Sequence, residues 1–298
     1  MEIIKPGTKI DFVGKIKYAT TISIIIIAIG ISALIFKGGL NYGIDFAGGT
    51  LVELRFKNEP SIDKVRDSLK KIELGESIIQ QFGDPKDILI RVEKSTEALE
   101  GLGEKIKKTI ESDFQGESIE IRRVEMVGPQ VGKDLQWKAM MAVLYSMIGI
   151  AIYVAWRFQF KWGIAAIIAL AHDVLITIGI FAITGKEFTL PVLAAVLTVV
   201  GYSINDTIVI FDRIRENMRL KSKEGFESII NISINETLSR TFLTVLTVLI
   251  VLLALFLYGG EIIHDFAFTM LVGITTGTFS SIYIASPILI LWKEKKKK

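Results

Sequence analysis

Four stretches of the chain are free of charged residues over the length that a membrane-spanning helix needs. They comprise residues 18–36, 139–156, 241–260 and 266–292. About 20 mostly apolar residues are needed to cross the roughly 30 Å hydrocarbon core of a bilayer. Two further stretches, residues 162–185 and 188–211, are long enough but contain ionisable side chains. The pattern predicts an α-helical polytopic membrane protein with six transmembrane helices.

The first apolar stretch is expected to remain in the protein as a span. It is longer than the apolar region of a secretory signal peptide, and no small-residue cleavage site follows it. Half of the 298 residues are hydrophobic. A soluble domain of this length needs more polar residues to cover its surface.

Every second segment between the spans is basic. The basic residues are Lys5, Lys9, Lys15 and Lys17, then Arg157 and Lys161, then Arg213, Arg215, Arg219, Lys221 and Lys223, and finally five lysines among residues 293–298. Lysine and arginine mark the cytoplasmic side of a membrane protein. We therefore expect a multi-pass protein of the cell (cytoplasmic) membrane with both termini cytoplasmic and residues 37–133 extracytoplasmic. Topology and contact with the lipid membrane explain the basic segments, so a nucleic-acid partner is not expected.

The sequence divides into three regions. Residues 1–36 form the N-terminal tail and first span, residues 37–133 form an extracytoplasmic α+β domain, and residues 134–298 hold spans two to six with a basic C-terminal tail. The inserted domain shows strands at 50–57, 76–82, 87–93 and 117–127, and helices at 62–72 and 95–114. Ser61 is placed to cap the first helix, and residues 83–85 form a turn signal. The order βαββαβ predicts a ferredoxin-like fold.

The inserted domain shows no feature of an active site. It has no nucleophile–base pair, no cluster of metal ligands and no histidine, and the chain has no cysteine to form disulfides. We therefore expect a binding or force-transmitting module rather than an enzyme, with no cofactor and no metal.

A glycine-rich element, residues 43–50, joins the first span to the first strand. Its sequence is GIDFAGGT, and its distinctive residues are Gly43, Asp45, Gly48 and Gly49. Glycines permit positive φ angles and close backbone approach. A tight connection between span and domain explains the element, and a phosphate loop is a poor match because a strand rather than a helix follows.

The ionisable residues inside the spans are the candidate functional residues. His172 and Asp173 lie near the middle of the third span, Asp206 lies in the fourth, and Arg240 opens the fifth. An Asp at the centre of a span costs roughly 2.5–3.5 kcal/mol on insertion scales, so it needs a partner, water or protonation. Together these four residues favour a proton relay. Each also has a structural explanation: interfacial snorkelling for Arg240, helix-end bonding for Asp206, and a satisfied pair for His172 and Asp173.

Polar residues accompany these groups at helical spacing. Thr198, Tyr202, Asn205 and Asp206 are expected to share a face that points into the bundle, with Ser203 beside them. Thr244 and Thr247 continue the face of Arg240. In the sixth span a stripe of small and polar residues permits close helix packing: Thr269, Gly273, Thr276, Gly277 and Ser280.

The cytoplasmic loop between the fourth and fifth spans is assigned to residues 212–238. Within it, residues 225–237 alternate isoleucines with serines, asparagines and glutamates. This pattern predicts an amphipathic helix at the membrane surface, in contact with lipid or with another subunit.

Several of these motifs resemble the SecD/SecF family of protein-export membrane subunits, and within it the SecF branch. The fourth-span sequence GYSINDTIVIFDRIREN, residues 201–217, is highly specific for it. Residues 43–50, residues 172–174 (HDV) and residues 277–287 (GTFSSIYIASP) resemble the elements of the family's first, third and sixth spans. The resemblance covers essentially the whole chain, and the long free-standing chain resembles the archaeal form.

The resemblance implies a role in protein export. The family belongs to the resistance–nodulation–division superfamily, and its SecF subunits pair with a homologous SecD-like subunit into a twelve-span unit. That unit works with the Sec translocon and assists an unfolded translocating polypeptide, using the proton-motive force. Asp206 and Arg240 match family positions implicated in proton passage. The alternatives are a non-transporting scaffold or chaperone of the translocon and a small-molecule exporter of the same superfamily.

Overall fold

A computed structural model describes residues 8–92, 99–114 and 116–294 of the chain. Three sequence-based expectations therefore lie outside the described residues. They are the placement of Lys5, the start of the second domain helix at Ser95, and the lysines at 295–298. The described residues form two compact units, one made of Met1–Asn41 with Met140–Lys298 and the other of Tyr42–Ala139.

Within the described ranges, six helices are long and apolar enough to cross a membrane, so the chain is a multi-pass membrane protein. The helices that carry the spans are α1 (Ile16–Phe36), α5 (Pro129–Arg157), α6 (Phe160–Thr184), α7 (Leu190–Leu220), α8 (Phe226–Tyr258) and α9 (Gly260–Ser280). A π-helical segment, Ser281–Ala285, continues α9 into α10 (Ser286–Glu294). In the shorter unit α2 is Ile44–Ala47, α3 is Ile62–Lys70 and α4 is Leu99–Asp113.

The spans differ in how much of their surface the chain itself covers. Helices α6, α7 and α9 form the inside of the bundle, whereas α1, α5 and α8 leave most of their side chains exposed. An exposed face on a span is covered in a membrane by lipid or by another protein. The ionisable residues inside the spans lie mainly on the inner helices α6 and α7.

The Tyr42–Ala139 unit contains a four-stranded antiparallel sheet. Its strands are β1 (Gly49–Arg55), β2 (Ile78–Phe82), β3 (Asp84–Val92) and β4 (Glu120–Val127), in the spatial order β2-β3-β1-β4. In register, Val52 of β1 lies between Ile90 of β3 and Val124 of β4. The apolar face of the sheet packs on α3 and α4 around Val65, Leu69 and Ile106. Burial of these side chains stabilises the unit without disulfides.

Two details of this unit differ from the sequence-based expectation. The turn between β2 and β3 is tighter than 83–85, because β3 already begins at Asp84 and only Gly83, with φ of 72°, reverses the chain. Ser61 does occupy the N-cap position of α3, but its side chain makes no capping hydrogen bond there.

The predicted surface helix at residues 225–237 is not a separate element. Helix α8 runs without interruption from Phe226 to Tyr258, because no proline or glycine breaks it. Ile229, Ile230 and Ile234 are buried and so contact neither lipid nor a second subunit. The loop assigned to 212–238 shrinks to the few residues between α7 and α8.

Candidate intramembrane polar site

Asp173 on α6 is a buried carboxylate whose hydrogen-bond partners lie on its own helix and on two others. It is 1% exposed, and Ser203 on α7 and Ser280 on α9 both donate to its Oδ2, at 2.6 and 2.8 Å. His172 Nδ1 lies 2.9 Å from its Oδ1. A buried carboxylate is tolerated when such donors replace the water it has lost. One side chain therefore ties three inner helices together.

His172 extends this centre to the first span. Its Nε2 lies 3.1 Å from the hydroxyl of Ser23 on α1, and the ring is 6% exposed. The geometry fits a neutral imidazole that donates from Nδ1 to Asp173 and accepts from Ser23. His172 therefore links Asp173 on α6 to the first span, α1.

Close backbone contacts bring these helices near enough to bond. A Cβ on Gly30 of α1 would lie 2.7 Å from the Cα of Gly179 on α6. On α9, a Cβ on Gly277 would lie 2.8 Å from the Cβ and Oγ of Ser203, and one on Gly273 would meet Val199. Small residues at these crossings let short hydroxyl side chains reach their partners. Of the stripe of small residues predicted on the sixth span, Gly273 and Gly277 face α7, and Ser280 reaches Asp173 on α6.

Asp206 on α7 is buried too, at 3% exposure, but has fewer partners. The hydroxyl of Thr278 on α9 donates to its Oδ2 over 3.4 Å. The neighbouring Thr207 lies 2.7 Å from the hydroxyl of Ser281, at the start of the π-helical segment. A carboxylate with one long hydrogen bond has little to stabilise its negative charge. Asp206 is therefore less well satisfied by hydrogen bonds than Asp173.

Arg240 does not pair with Asp206 in this structure. It is exposed on α8, and no ion pair among the described residues joins the two side chains. Of the four residues in the predicted relay, the structure joins His172 to Asp173, keeps Asp206 nearby on α7, and leaves Arg240 on the surface.

The polar residues predicted to share one face of α7 point in two different directions. Asp206 and Ser203 point inward, whereas Thr198 and Asn205 are exposed and Tyr202 is half-buried. The expectation that all four of Thr198, Tyr202, Asn205 and Asp206 face the bundle is therefore wrong. The reason is geometric: Asn205 and Asp206 are adjacent in sequence and point about 100° apart on an α-helix.

The threonines predicted to follow Arg240 lie on the same outer surface as Asn205. Thr244 and Thr247 are exposed on α8 and donate to backbone carbonyls one turn earlier in their own helix. Tyr202 donates to the carbonyl of Thr244 over 3.2 Å. The outward residues of α7 and α8 thus form one polar strip on the bundle surface.

The glycine-rich element closes against the start of α5. Gly48 has φ of 76°, and a Cβ there would lie 2.9 Å from the Cα of Pro129. Gln136 donates to the carbonyl of Phe46 over 2.8 Å. Gly43 precedes α2 as its N-cap, Asp45 lies within α2, and Gly49 opens β1 with φ of 120°. The element therefore docks the chain entering the domain onto the chain leaving it.

Sequence reasoning found the charged members of the site but missed several of their partners. Ser23 and Thr278 were not singled out, and the π-helical segment was not foreseen. Ser23 is one of two serines in the first span, with Ser32, and nothing local in the sequence distinguishes the two. Among the described residues, no group of three or more His, Cys, Asp or Glu side chains is placed to hold a metal ion.

This fold defines a multi-pass membrane protein whose inner helices hold titratable side chains away from water. Two family models match the chain. "Protein export membrane protein SecD/SecF, C-terminal" matches residues 106–295, and "SecD/SecF GG Motif" matches residues 33–59. The chain belongs to the SecD/SecF family of protein-export membrane proteins.

Individual relatives are similar along their whole length. "Protein translocase subunit SecF" of Desulfurispirillum indicum is 49% identical over 93% of this chain and 90% of its own. The protein of the same name from Calditerrivibrio nitroreducens is 46% identical over 100% and 99%. The resemblance to the archaeal form stays a prediction.

Two solved structures share the fold. The crystal structure of SecDF from Thermus thermophilus, described as a translocon-associated membrane protein, has a TM-score of 0.87 at 37% identity and covers 97% of this chain. A structure of SecDF in a super-membrane-facing form gives 0.73 at 37% identity and covers 100%. The chain spans only 39% and 40% of those two SecDF chains.

Proposed function

We propose that this chain is a SecF-type subunit that assists protein translocation by the Sec machinery and couples that work to the proton-motive force. The observation that carries the proposal is the burial of Asp173, His172 and Asp206 inside one helical bundle. Buried ionisable groups in a membrane are costly and typically mark ion or proton pathways. Family membership supports a role in protein translocation, and the buried ionisable groups support coupling to the proton-motive force.

We propose a SecD-like subunit as the direct partner. The SecDF chain that resembles this one is more than twice as long, so this chain corresponds to one part of such an assembly. The polar strip of Asn205, Arg240 and Thr244 is exposed on the surface of the bundle. Polar groups facing lipid are unfavourable, and a second set of spans would cover them. The translocon and an unfolded polypeptide complete the proposed set of partners.

The domain is proposed to have the ferredoxin-like arrangement and to lie outside the cytoplasm. The order βαββαβ and the antiparallel sheet order β2-β3-β1-β4 support the fold, and the basic alternate loops support the orientation. The chain has no cysteine, so single cysteines can report it. In intact cells an impermeant thiol reagent should label a cysteine at exposed Ser112 and spare one at exposed Ser222. The reverse pattern would overturn the orientation.

In the proposed mechanism Asp206 alternates between ionised and protonated forms. Arg240 approaches Asp206 when the carboxylate is ionised, because a neighbouring cation stabilises the charged form. Protonation of Asp206 releases Arg240 to the surface position seen here. Helices α7 and α8 then shift relative to each other, and this shift moves the external domain.

Asp206→Asn tests this mechanism because it removes the titrating group and keeps size and hydrogen bonding. The variant should still co-purify with the SecD-like subunit in mild detergent, yet lose gradient-dependent stimulation of export in membrane vesicles. Arg240→Lys keeps the charge but loses the planar guanidinium, so it should also impair export. Full gradient-dependent export by an assembled Asp206→Asn variant would show that Asp206 is structural and would favour the scaffold function.

A further inference from the structure

Residues just before the first span are held by two asparagines of α8. The side chain of Asn231 accepts from the backbone N–H of Phe12 at 2.8 Å and donates to the carbonyl of Ile10 at 3.0 Å. Asn235 accepts from the N–H of Ile10 and donates to its carbonyl, both at 2.8 Å. An amide side chain that pairs with both backbone groups fixes the backbone of a segment whatever its side chains are. This clamp places Phe12 at a defined position.

The clamped segment directs Phe12 into the bundle. Phe12 is 7% exposed, and its ring centroid lies 6.1 Å from that of Tyr283. Tyr283 lies 5.0 Å from Phe279, and Phe279 stacks on His172 with centroids 6.2 Å apart and planes 17° from parallel. The three aromatic rings therefore form a continuous series from the N-terminal segment to the imidazole.

The π-helical segment sets the position of the middle ring. Tyr283 lies within Ser281–Ala285, where the hydroxyl of Ser286 donates to the carbonyl of Ser281 over 2.9 Å. A π-helical turn changes the direction in which the next side chains point, and such turns occur frequently at functional sites. In this chain the turn brings Tyr283 between Phe12 and Phe279.

We propose that Phe12, Tyr283 and Phe279 form an aromatic seal that closes the water route from the N-terminal end of the bundle to His172. Aromatic rings in van der Waals contact exclude water, and His172 is buried behind them. The seal rests on the proposed function for its purpose, because a proton pathway open to both sides of the membrane would dissipate the gradient. The clamp formed by Asn231 and Asn235 holds Phe12 in the closed position.

A single cysteine at Ser23 can report water behind the seal. Ser23 is 2% exposed and contacts His172, and a thiol reacts only as the solvent-accessible thiolate. In membrane vesicles with the N-terminal side outward, a small impermeant methanethiosulfonate should label Ser23→Cys slowly. Adding Phe12→Ala should raise the labelling rate roughly tenfold or more, which corresponds to ~1.4 kcal/mol or more in the opening equilibrium.

The matched control is Phe160→Ala. Phe160 begins α6 at the same end of the bundle but is 73% exposed, so its loss should leave the labelling rate within about twofold of the parent. Phe12→Tyr keeps the ring and should keep labelling slow. The pair Asn231→Ala and Asn235→Ala leaves all three rings in place but releases the segment, and should also speed labelling.

Slow labelling in both the Phe12→Ala and the clamp variants would overturn the seal. Equally fast labelling in Phe160→Ala would also overturn it, because the effect would then be general loosening. If Phe12→Ala does not fold, the clamp variant decides. Labelling does not depend on export, so failure of the seal is distinguishable from failure of the proposed function, which the export of Asp206→Asn tests.

Discussion

Asp173 and Asp206 are both buried carboxylates in the inner helices, and they differ in how their charge is satisfied. Asp173 receives two serine hydroxyls and faces the His172 ring. Asp206 receives one threonine hydroxyl at 3.4 Å. Burial alone does not distinguish the two side chains, because they are 1% and 3% exposed.

The difference separates a fixed group from an exchangeable one. Three close partners on different helices make Asp173 a joint that opposes helix movement, because any shift would break bonds to a buried charge. In the proposed mechanism Asp206, with its single long hydrogen bond, is the group that exchanges a proton. Asp173 holds the helices in register, and Asp206 responds to the gradient.

The largest expected effect is on stability at the better-bonded centre. Asp173→Ala leaves Ser203, Ser280 and His172 without their acceptor, so the free energy of unfolding should fall by about 3–5 kcal/mol. Asp206→Ala should cost only about 1 kcal/mol, since a single long hydrogen bond is lost. Thermal unfolding in mild detergent, followed by tryptophan fluorescence, measures both. Equal losses in the two variants would remove the distinction between the centres.

The sequence could predict only part of the contrast between Asp173 and Asp206. The cost of burying charge was enough to select His172, Asp173 and Asp206 as special. It could not rank them, since the rank depends on hydroxyls from other helices that meet only in the folded bundle. Arg240 was grouped with Asp206 because a cation can pair with a buried carboxylate and because the family resemblance implicates both residues. Neither signal shows which way the Arg240 side chain faces.

Local sequence patterns do not show which helices will face each other, and this limit also explains the errors on the polar strip and on α8. Periodicity correctly found a polar face on α7, but the face belongs partly to the surface, where Asn205 lies. The isoleucine pattern of residues 225–237 was correctly helical, yet nothing local in the sequence shows that Ile230 would pack inside its own chain. The domain strands were more predictable, because their alternation and turns are local signals.

The second prediction concerns the hydrogen bond between His172 and Ser23, which connects the Asp173 centre to α1. Gly30→Ala places a Cβ within 2.7 Å of the Gly179 backbone, which cannot rotate away. The helices must separate, and His172 should lose Ser23, at a cost of about 2 kcal/mol in unfolding free energy. The matched control is Gly149→Ala on α5, where nothing lies within 4 Å of the new Cβ.

That control should be neutral or stabilising by about 0.5–1 kcal/mol, because glycine within a helix is unfavourable. The measurement is again the unfolding midpoint in detergent. Equal midpoints for Gly30→Ala and Gly149→Ala would mean that α1 does not need its close approach to α6. The His172–Ser23 bond would then be incidental to the centre.

The smallest effects come from single hydroxyls, and they test the comparison most directly. Ser280 and Thr278 lie two residues apart at the end of α9, and each donates to a different carboxylate, at 2.8 and 3.4 Å. Each hydroxyl shares its one proton between the carboxylate and a carbonyl of its own helix, at 3.0 Å in both cases. The variants therefore differ in which carboxylate loses a donor, and Thr278→Ala also removes a methyl group. Ser280→Ala should cost about 1.5 kcal/mol, as expected for a hydrogen bond to a charged group, and Thr278→Ala about 0.5 kcal/mol. A larger loss for Thr278→Ala, measured under identical detergent and pH, would mean that Asp206 is the fixed charge and Asp173 the exchangeable one, which would reverse their proposed roles.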